Sequence, residues 1–319
     1  MKERLLHTTT RVRTHPDRTN PDRTNPDPTR GDLTASLADG VARLTTSCEW
    51  ERYLDYQTVF PRYSFGNVLL IAAQYPGATR VAGFSTWRSL GRWVRRGESA
   101  IWIFAPLRRR ASGRHQHEVV DEGAVGREAS EVTGFRRVAV FDVAQTDGTP
   151  APEVVHRLVG PDRAGTYPRL STYARSLGYV VDDVTLDGVS NGECDFARRR
   201  IRVEVRNAPA QRTKTLAHEL AHALLHEHES DRALAELEAE SIAYLVCRAV
   251  GLDTGEYSFG YVASWAGGGD AALLAIRRSG ERISRTAKVV IDVIAPDGGV
   301  VRDRPIPFGR SSRASLRSA

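Results

Sequence analysis

Cysteine, methionine and lysine are scarce in this sequence of 319 residues, which contains three, one and three of them, respectively. The cysteines, Cys48, Cys194 and Cys247, are far apart and form no Cys-x-x-Cys pair, which excludes a disulfide framework and an all-cysteine zinc site. No apolar run reaches the roughly 18 residues that a membrane span requires, and the N-terminus has no apolar signal core. We therefore expect a cytoplasmic protein that does not enter a membrane.

The charge of the chain is weakly basic, with 45 Lys and Arg residues against 39 Asp and Glu residues, a net charge of +6. An excess of positive charge favours a polyanionic partner over a cationic one. The length, together with an apolar content of 41%, is sufficient for two separate cores. We therefore predict an α+β protein with two domains.

Two low-complexity segments flank the predicted domains. Residues 13–27 repeat a five-residue unit of Arg, Thr, His or Asn, Pro and Asp without an apolar side chain, so we expect residues 1–32 to be a disordered tail. Residues 295–319 end in a stretch rich in Ser and Arg, and we expect them to form a basic tail.

The domain boundary is predicted within residues 145–162, which are rich in Pro, Gly and Asp. It separates an N-terminal domain, residues 33–148, from a C-terminal domain, residues 163–294. Apolar periodicity and β-branched content predict the secondary structure of both domains. The expected elements are helices at residues 33–56, 63–74, 86–96 and 167–177, three later helices, strands at residues 99–106, 135–143, 180–186 and 200–205, and a long loop at residues 107–134.

The strongest motif is His218-Glu219-Leu220-Ala221-His222, which has the form His-Glu-x-x-His. On a helix, two histidines four residues apart lie on one face and can present ring nitrogens to a single Zn²⁺. Leu216, Leu220 and Leu224 would form the opposite, buried face. Three protein ligands and a water are typical of a catalytic zinc, whereas a structural zinc usually has four protein ligands, so we expect a catalytic site.

The third ligand is expected on the following helix, where Glu236 and Glu240 share one face. We expect Glu236 to bind the metal and Glu240, one turn later, to orient a ligand histidine by accepting its hydrogen bond. The i,i+4 spacing also permits the reverse assignment. His228 has the spacing of the third histidine in metzincins, but Leu225 replaces the glycine of that motif and Met1 is the only methionine, so we exclude this class.

The other residues around the motif are assigned roles by chemistry and spacing. Glu219 is the expected general base of peptide-bond hydrolysis, because it can take a proton from the attacking water. Glu238 points to the other side of its helix and is expected to be a solvated charge, and Cys247 lies too far along that helix to bind the same ion. The unranked candidates for oxyanion donors are Tyr244, Tyr257 and His226.

Residues 61–115 combine arginines with aromatic side chains. Ten arginines accompany a single acid, Glu98, and the segment holds three of the five tryptophans. On the helix predicted at residues 86–96, Arg88 and Arg92 share one face with the following arginines, while Trp87 lies on the opposite face. A cationic groove with aromatic platforms is typical of single-strand binding, but the same composition also fits core aromatics beneath a solvated basic face.

A series of short motifs crosses the N-terminal segment. It comprises residues 50–54, Tyr63-Ser-Phe-Gly-Asn67, residues 74–87, Leu90-Gly-Arg92, Arg96-Gly-Glu98 and Phe141-Asp-Val-Ala-Gln-Thr146. In order and spacing this series resembles the single-stranded-DNA-binding domain of ArdC-type antirestriction proteins over about residues 35–148. The resemblance implies binding to single-stranded DNA and protection of incoming plasmid DNA from restriction. The expected nucleic-acid contacts are Tyr63, Asn67, Trp87, Arg88, Arg92, Arg95 and Arg96.

The zinc segment continues through Glu236-x-x-Ala239-Glu240-x-x-Ala243. In this pattern it resembles the ImmA/IrrE-type metallopeptidases and the ArdC C-terminal domain, which ranks Glu236 above Glu240 as the third ligand. We therefore expect a zinc-dependent metallopeptidase that binds single-stranded DNA and cleaves a protein or peptide substrate, such as a regulatory or restriction protein. The alternative is a DNA-binding protection factor whose zinc domain is folded but does not hydrolyse peptides.

Overall fold

The computed structural model of the protein describes residues 27–110, 130–150, 165–188, 190–252 and 269–295. Most of both predicted tails and residues 151–162 of the predicted linker lie outside these described residues. The described elements mix helices and strands, which confirms the α+β prediction.

The described chain begins with three helices, α1 (Arg30–Arg43), α2 (Ser47–Val59) and α3 (Phe65–Gln74). The single helix predicted at residues 33–56 is wrong, because a second helix starts in the middle of that range. The Thr46 side chain accepts a hydrogen bond from the Glu49 backbone N–H at 3.3 Å, which satisfies one of the free donors of the new helix start.

The helix predicted at residues 86–96 is also wrong. Helix α4 (Phe84–Ser89) ends early, and the short strand β2 (Arg92–Val94) follows it. Gly91 between them has φ +71, a left-handed conformation that glycine adopts without steric cost. The side-chain period therefore changes from 3.6 to 2 residues at this glycine, and Arg92 and Trp93 point to opposite sides.

The N-terminal sheet contains β1 (Val81–Gly83), β3 (Ile101–Arg110) and β4 (Ser130–Asp142), all antiparallel in the order β1-β4-β3. Both long strands extend into the loop that was predicted at residues 107–134. A separate antiparallel pair joins β2 to β5 (Thr146–Gly148).

Two amide side chains of α3 cover the outer edge of β3. Asn67 donates to the Phe104 carbonyl at 2.8 Å and accepts from the Phe104 N–H at 3.0 Å. Gln74 makes the same pair of hydrogen bonds with the Trp102 peptide, at 2.8 and 2.9 Å. These amides take the place of a neighbouring strand, so the backbone groups of the edge are satisfied.

The C-terminal part places a three-stranded sheet beside helices. Helix α5 (Thr166–Ser176) precedes β6 (Val180–Val184), β7 (Gly192–Asp195) and β8 (Arg200–Glu204), in the order β6-β8-β7. Strand β7, which was not predicted, is an edge strand antiparallel to β8, whereas β6 is parallel to β8. Within the described residues three helices follow, as predicted: α6 (Pro209–Leu225), α7 (Arg232–Ala249) and α8 (Gly269–Ile294).

Helices from both parts pack together in one continuous hydrophobic core. The Trp50 indole of α2 donates to the Ser241 hydroxyl of α7 at 3.0 Å, and both groups are buried. Gly280 of α8 lies against the Phe65 ring, where an added Cβ would stand 2.2 Å from the ring carbon Cε2. Helix α7, which carries Glu236, is thus packed directly on the N-terminal part. No helix among the described residues is long and apolar enough to cross a bilayer.

Candidate metal centre and nucleic-acid interface

Helix α6 presents His218 and His222 on one side and its apolar residues on the other. Leu216 and Leu220 are fully buried in the core, which fixes the rotation of the helix. The two imidazoles consequently point into the same cleft, with their Nε2 atoms 3.1 Å apart. The His-Glu-x-x-His spacing therefore brings two nitrogen donors together as expected for a helix.

Glu236 of α7 brings the third donor to this pair. Its Oε2 atom lies 3.4 Å from His218 Nε2 and 3.9 Å from His222 Nε2. Ligands about 2.1 Å from a tetrahedral ion are about 3.4 Å apart, so these separations are close to those of a coordination shell. Two imidazoles and one carboxylate on one side of an open cleft fit a divalent metal ion with a free position.

Glu240 lies behind His218 rather than beside Glu236. Its Oε2 atom is 3.2 Å from His218 Nδ1, the ring nitrogen that faces away from the cluster. Its other oxygen pairs with Lys214 Nζ at 2.9 Å. Glu240 can therefore orient His218 while Lys214 balances its charge, which is the arrangement expected of an orienting carboxylate.

The titration of the cluster follows from its crowding. Burial lowers the pKa of His218, but hydrogen bonds with Glu236 and Glu240 outweigh burial and raise the pKa to about 9. Burial and the charges of His218 and His226 lower the pKa of His222. The hydrogen bond from His218 holds the pKa of Glu236 below its usual value. A metal ion at this point would compete with the proton that His218 holds.

Glu219 is buried beside this cluster and faces the edge strand β7. Burial raises the pKa of its carboxyl to about 7, with smaller contributions from the charges of its neighbours. Gly192 of β7 permits this close packing, because an added Cβ would lie 2.9 Å from Glu219 Oε1 and 2.4 Å from Thr215 Cγ2. The carboxyl can thus change its protonation near neutral pH, as a general base must.

The cluster opens into a cleft of about 700 Å³ between β7 and helices α6 and α7. Strand β7, which is an edge strand in the described sheet, contributes one wall of the cleft. The volume lies within the range of about 300–1,000 Å³ that is common for ligand sites. Strand β7 was not predicted, because Gly192-Glu-Cys-Asp195 has neither an alternating pattern nor β-branched residues.

The two described candidates for oxyanion donors, Tyr244 and His226, do not reach this cleft. Tyr244 donates to Asp55 of α2, on the side of α7 that faces the N-terminal part, so its expected role is wrong. His226 is buried behind His222, with its Nδ1 atom 2.9 Å from His222 Nδ1. His226 therefore does not reach the cleft, and its expected role is also wrong. Tyr257 lies outside the described residues.

Two predictions for the remaining residues of α7 have opposite outcomes. Cys247 is fully buried, which confirms that it belongs to the core. Glu238 was expected to be a solvated charge, and this is wrong because its side chain is 0% exposed. It is buried between His226 Nε2, at 3.1 Å, and Arg282 of α8, at 2.9 Å. This environment is formed by His226 at the end of α6 and Arg282 of α8, so no pattern within α7 could indicate it.

Three of the expected nucleic-acid contacts lie in or against the interior. Trp87 is fully buried and donates to the Phe141 carbonyl at 2.8 Å, and Asn67 is bound to the edge of β3. Neither side chain can stack on a base or contact a DNA strand, so both predictions are wrong. Tyr63 is half-buried, and its hydroxyl donates to the Val81 carbonyl at 3.0 Å.

The four expected arginines differ in exposure. Arg92 is half-buried and donates to Thr146 at 2.8 Å, whereas Arg95 is exposed and pairs with Glu98 at 2.6 Å. Arg88 and Arg96 are also exposed.

Three exposed apolar side chains lie in the same segment of the chain as these two arginines. Phe84, Leu90 and Trp93 are exposed by 51%, 40% and 58%, respectively. We name the exposed residues Phe84, Arg88, Leu90, Trp93 and Arg96 the α4–β2 surface. Trp93 was not among the predicted contacts, because a helical period was expected for residues that form a strand.

The fold and the cluster define an α+β protein with a metallopeptidase-like C-terminal domain. In particular, residues 32–141 match the N-terminal domain of the anti-restriction factor ArdC, and residues 177–247 match the IrrE N-terminal-like domain of the M78 peptidases. The chain therefore resembles ArdC over residues 32–141 and the IrrE-like domain over residues 177–247, as the motifs predicted.

Individual relatives are more distant. An uncharacterised protein of Bacillus anthracis is 24% identical over 251 residues, which cover 67% of this chain and 42% of that protein. The chain thus spans about two fifths of the length of this curated relative. The antirestriction protein ArdC of plasmid R388 is 21% identical in two crystal structures. The metal-free structure has a TM-score of 0.45 and covers 75% of this chain and 86% of that one; the Mn(II)-bound structure has a TM-score of 0.43 and covers 77% and 99%.

Proposed function

We propose that this protein is a zinc-dependent metallopeptidase that also binds single-stranded DNA. The observation that carries the peptidase proposal is the convergence of His218, His222 and Glu236 donors beside the buried carboxyl of Glu219. His218 and His222 would hold the ion through Nε2, and Glu236 through Oε2. A bound Zn²⁺ supplies a Lewis acid that polarises the scissile carbonyl and makes a water acidic.

The residues of the chain would perform the proton transfers of hydrolysis. Glu219 takes a proton from the attacking water, whose oxygen forms a bond to the carbonyl carbon. The peptide C–N bond then breaks, and the same carboxyl returns the proton to the leaving nitrogen. Burial raises the pKa of Glu219 above that of an exposed carboxyl, which makes the group a stronger proton acceptor.

Glu219→Gln tests the peptidase proposal, because glutamine preserves the shape of the side chain but cannot accept the proton. We expect a zinc content equal to that of the unchanged protein, measured by elemental analysis. Cleavage of a proteome-derived peptide library, followed by mass spectrometry, should fall by about 100-fold or more. Glu227→Gln is the matched control, since Glu227 is an exposed carboxylate that follows the same helix. Equal cleavage by the two variants would overturn the peptidase proposal.

The DNA proposal is supported by the α4–β2 surface and by the match to the ArdC N-terminal domain. Its exposed Trp93 offers a ring on which a base can stack, and Arg88 and Arg96 offer cations for phosphates. A base stacked on an aromatic ring contributes about 1–3 kcal/mol and tolerates any sequence, because every base has a π-face. The surface therefore fits single strands better than base-paired duplex, in which the faces of the bases are covered.

Fluorescence anisotropy with a labelled oligo-dT tests this surface. Trp93→Ala should weaken binding by about 5- to 150-fold, which corresponds to the loss of one stacked base. Arg88→Gln and Arg96→Gln should each reduce the slope of log affinity against log salt by about 0.7. Arg175→Gln, at an exposed arginine of α5, is the control and should change neither quantity. A salt-independent affinity, or a preference for duplex, would contradict the proposal.

The biological role that we propose is protection of DNA from restriction, or removal of a regulatory or restriction protein. Cells that carry Glu219→Gln and cells that carry Arg88→Gln with Arg96→Gln distinguish these roles in a plasmid-transfer assay. If DNA binding alone protects, the first strain keeps the phenotype and the second loses it. If proteolysis is required, the first strain loses it as well.

A further inference from the structure

Behind the cluster of His218, His222 and Glu236, a series of hydrogen-bonded polar side chains runs from His222 to the last described helix. His226, the residue that ends α6, places its Nδ1 atom 2.9 Å from His222 Nδ1. Its other nitrogen, Nε2, lies 3.1 Å from Glu238 Oε2. Arg282 of α8 then places a guanidinium nitrogen 2.9 Å from the same carboxylate oxygen. His226 and Glu238 are 4% and 0% exposed, so water does not screen these contacts.

We propose that His226, Glu238 and Arg282 are positioning residues that hold His222 in its metal-binding tautomer. This inference rests on the proposed metal site, but it concerns residues that do not touch the metal. The ArdC match ends at residue 141 and the IrrE-like match at residue 247, so the proposal adds to the centre a residue of α8, which lies outside both matches.

The chemistry of the two imidazoles fixes the position of each proton. His222 can bind a cation through Nε2 only if that nitrogen carries a lone pair, so the neutral ring must hold its proton on Nδ1. That proton is donated to His226 Nδ1, which must therefore be an acceptor. Neutral His226 then carries its own proton on Nε2 and donates it to the Glu238 carboxylate. Each hydrogen bond determines the direction of the next one.

The charge at the end of this series is balanced. Glu238 would be a buried anion, and removal of the partner of a buried charge is strongly unfavourable. Arg282 supplies the opposite charge, and its NH1 atom lies 3.7 Å from Glu229. The second oxygen, Oε1 of Glu238, has no hydrogen-bond donor among the described residues. A buried ion pair of this kind contributes little to stability compared with apolar packing, which favours a positioning role over a purely structural one.

The same design recurs at the other ligand histidine. His218 is backed by Glu240, and Glu240 is balanced by Lys214. His222 is backed by Glu238 through one additional imidazole, and Glu238 is balanced by Arg282. Carboxylates that bind the far nitrogen of a ligand histidine fix its orientation and raise its basicity. Both ligand histidines are thus contacted at their far nitrogen. His218 is contacted by Glu240 of α7, and His222 by His226, which leads to Glu238 of α7 and Arg282 of α8.

Zinc affinity, measured by competition with a chromophoric chelator, tests this proposal. We expect His226→Gln to weaken zinc binding by about 10- to 100-fold. Glu238→Gln should weaken it less, because the amide oxygen still accepts from His226 but carries no charge. Arg282→Gln should also weaken it, and Arg282→Lys should recover part of the loss because it restores the charge. His228→Gln is the matched control, an exposed histidine two residues away, and should leave the affinity unchanged.

Proton positions in the unchanged protein provide a second test that needs no variant. Long-range ¹H–¹⁵N correlation spectra distinguish a histidine protonated on Nε2 from one protonated on Nδ1. We expect His226 to carry its proton on Nε2 in the metal-free and the zinc-loaded protein, and His222 to carry its proton on Nδ1 once zinc is bound. A merely structural contact would require neither pattern.

The outcomes separate this proposal from the proposed function. Affinities of His226→Gln and Glu238→Gln within twofold of the unchanged protein, or a proton on Nδ1 of His226, would overturn the positioning role while leaving the metal site intact. If the unchanged protein binds no zinc, the proposed metallopeptidase fails. If zinc binds and the variants weaken it, but no peptide is cleaved, the positioning role holds without hydrolysis.

Discussion

Trp50 of α2 and Ser241 of α7 share a buried hydrogen bond of 3.0 Å. Ser241 lies on the same helix as Glu236. The bond joins the N-terminal part of the chain to α7, the helix that brings Glu236 to the two histidines. Because both groups are buried, either one becomes an unsatisfied polar group when the other is removed.

Ser241→Ala should therefore lower the free energy of unfolding by about 1–3 kcal/mol, since the Trp50 N–H stays buried without an acceptor. Urea unfolding followed by circular dichroism measures this change. Ser176→Ala is the control, because Ser176 is exposed and such substitutions usually change stability by less than about 0.5 kcal/mol. If the two variants are equally stable, the hydrogen bond contributes nothing to the joined core.

Gly192→Ala should displace β7 from the wall of the cleft, because the added Cβ would lie 2.4 Å from Thr215 Cγ2. We expect a loss of about 1–3 kcal/mol in stability, typical of an overpacked site. Zinc content should be unchanged, whereas hydrolysis should fall by about tenfold or more because Glu219 is displaced. Gly83→Ala is the control, since no atom lies within 4 Å of its added Cβ. Unimpaired hydrolysis in Gly192→Ala would show that β7 does not position the base.

Asn67→Ala should destabilise the fold without a direct effect on DNA. It leaves the N–H and carbonyl of Phe104 without their partners at the edge of β3, at a cost of about 1–3 kcal/mol for each group that stays buried. Arg88→Gln should behave in the opposite way, with unchanged stability and weaker oligonucleotide binding. Thermal unfolding and anisotropy, measured on both variants below their unfolding temperatures, check this crossed pattern. A loss of affinity in folded Asn67→Ala would restore Asn67 as a candidate DNA contact.

The pH dependence of stability should contain a contribution from Glu204. Its carboxylate accepts hydrogen bonds from the Arg206 side chain and backbone and from the Leu186 N–H, which together lower its pKa from 4.5 to about 2. Because the folded pKa is the lower one, this stabilisation is complete above about pH 4.5 and is lost as the pH falls toward 2. Unfolding temperatures of Glu204→Gln and the unchanged protein should therefore differ at pH 7 and converge in acid. Glu51→Gln, at an exposed helix position, controls for the loss of one charge.

Local patterns predicted the elements that contain a single, uninterrupted period. The ends of α3, α5 and β6 lie within two residues of the expected positions, and His218 and His222 are on one helical face, as their spacing required. Prediction was wrong where one residue changes the backbone. A new helix begins after Thr46, which divides the predicted helix in two. At Gly91 the helix gives way to a strand, so the predicted helical face of arginines does not exist.

The sequence predicts only part of the arrangement of side chains behind His222. His218, His222 and His226 recur at every fourth residue, a repeat that could have placed His226 behind His222. Nothing in that repeat identifies Glu238 as its partner, because Glu238 belongs to α7 and its counter-charge, Arg282, belongs to α8.

The amino-acid sequence by itself determined the chemistry that is available: two imidazoles one turn apart, carboxylates on the next helix, and an excess of arginine before them. Those features depend on helical spacing and composition, which are local. Tertiary packing alone decided which carboxylate approaches the Nε2 atoms, which is buried behind a histidine, and which tryptophan remains exposed. These outcomes depend on contacts between residues that are far apart in the chain, and burial and charge pairing act only once such residues are brought together.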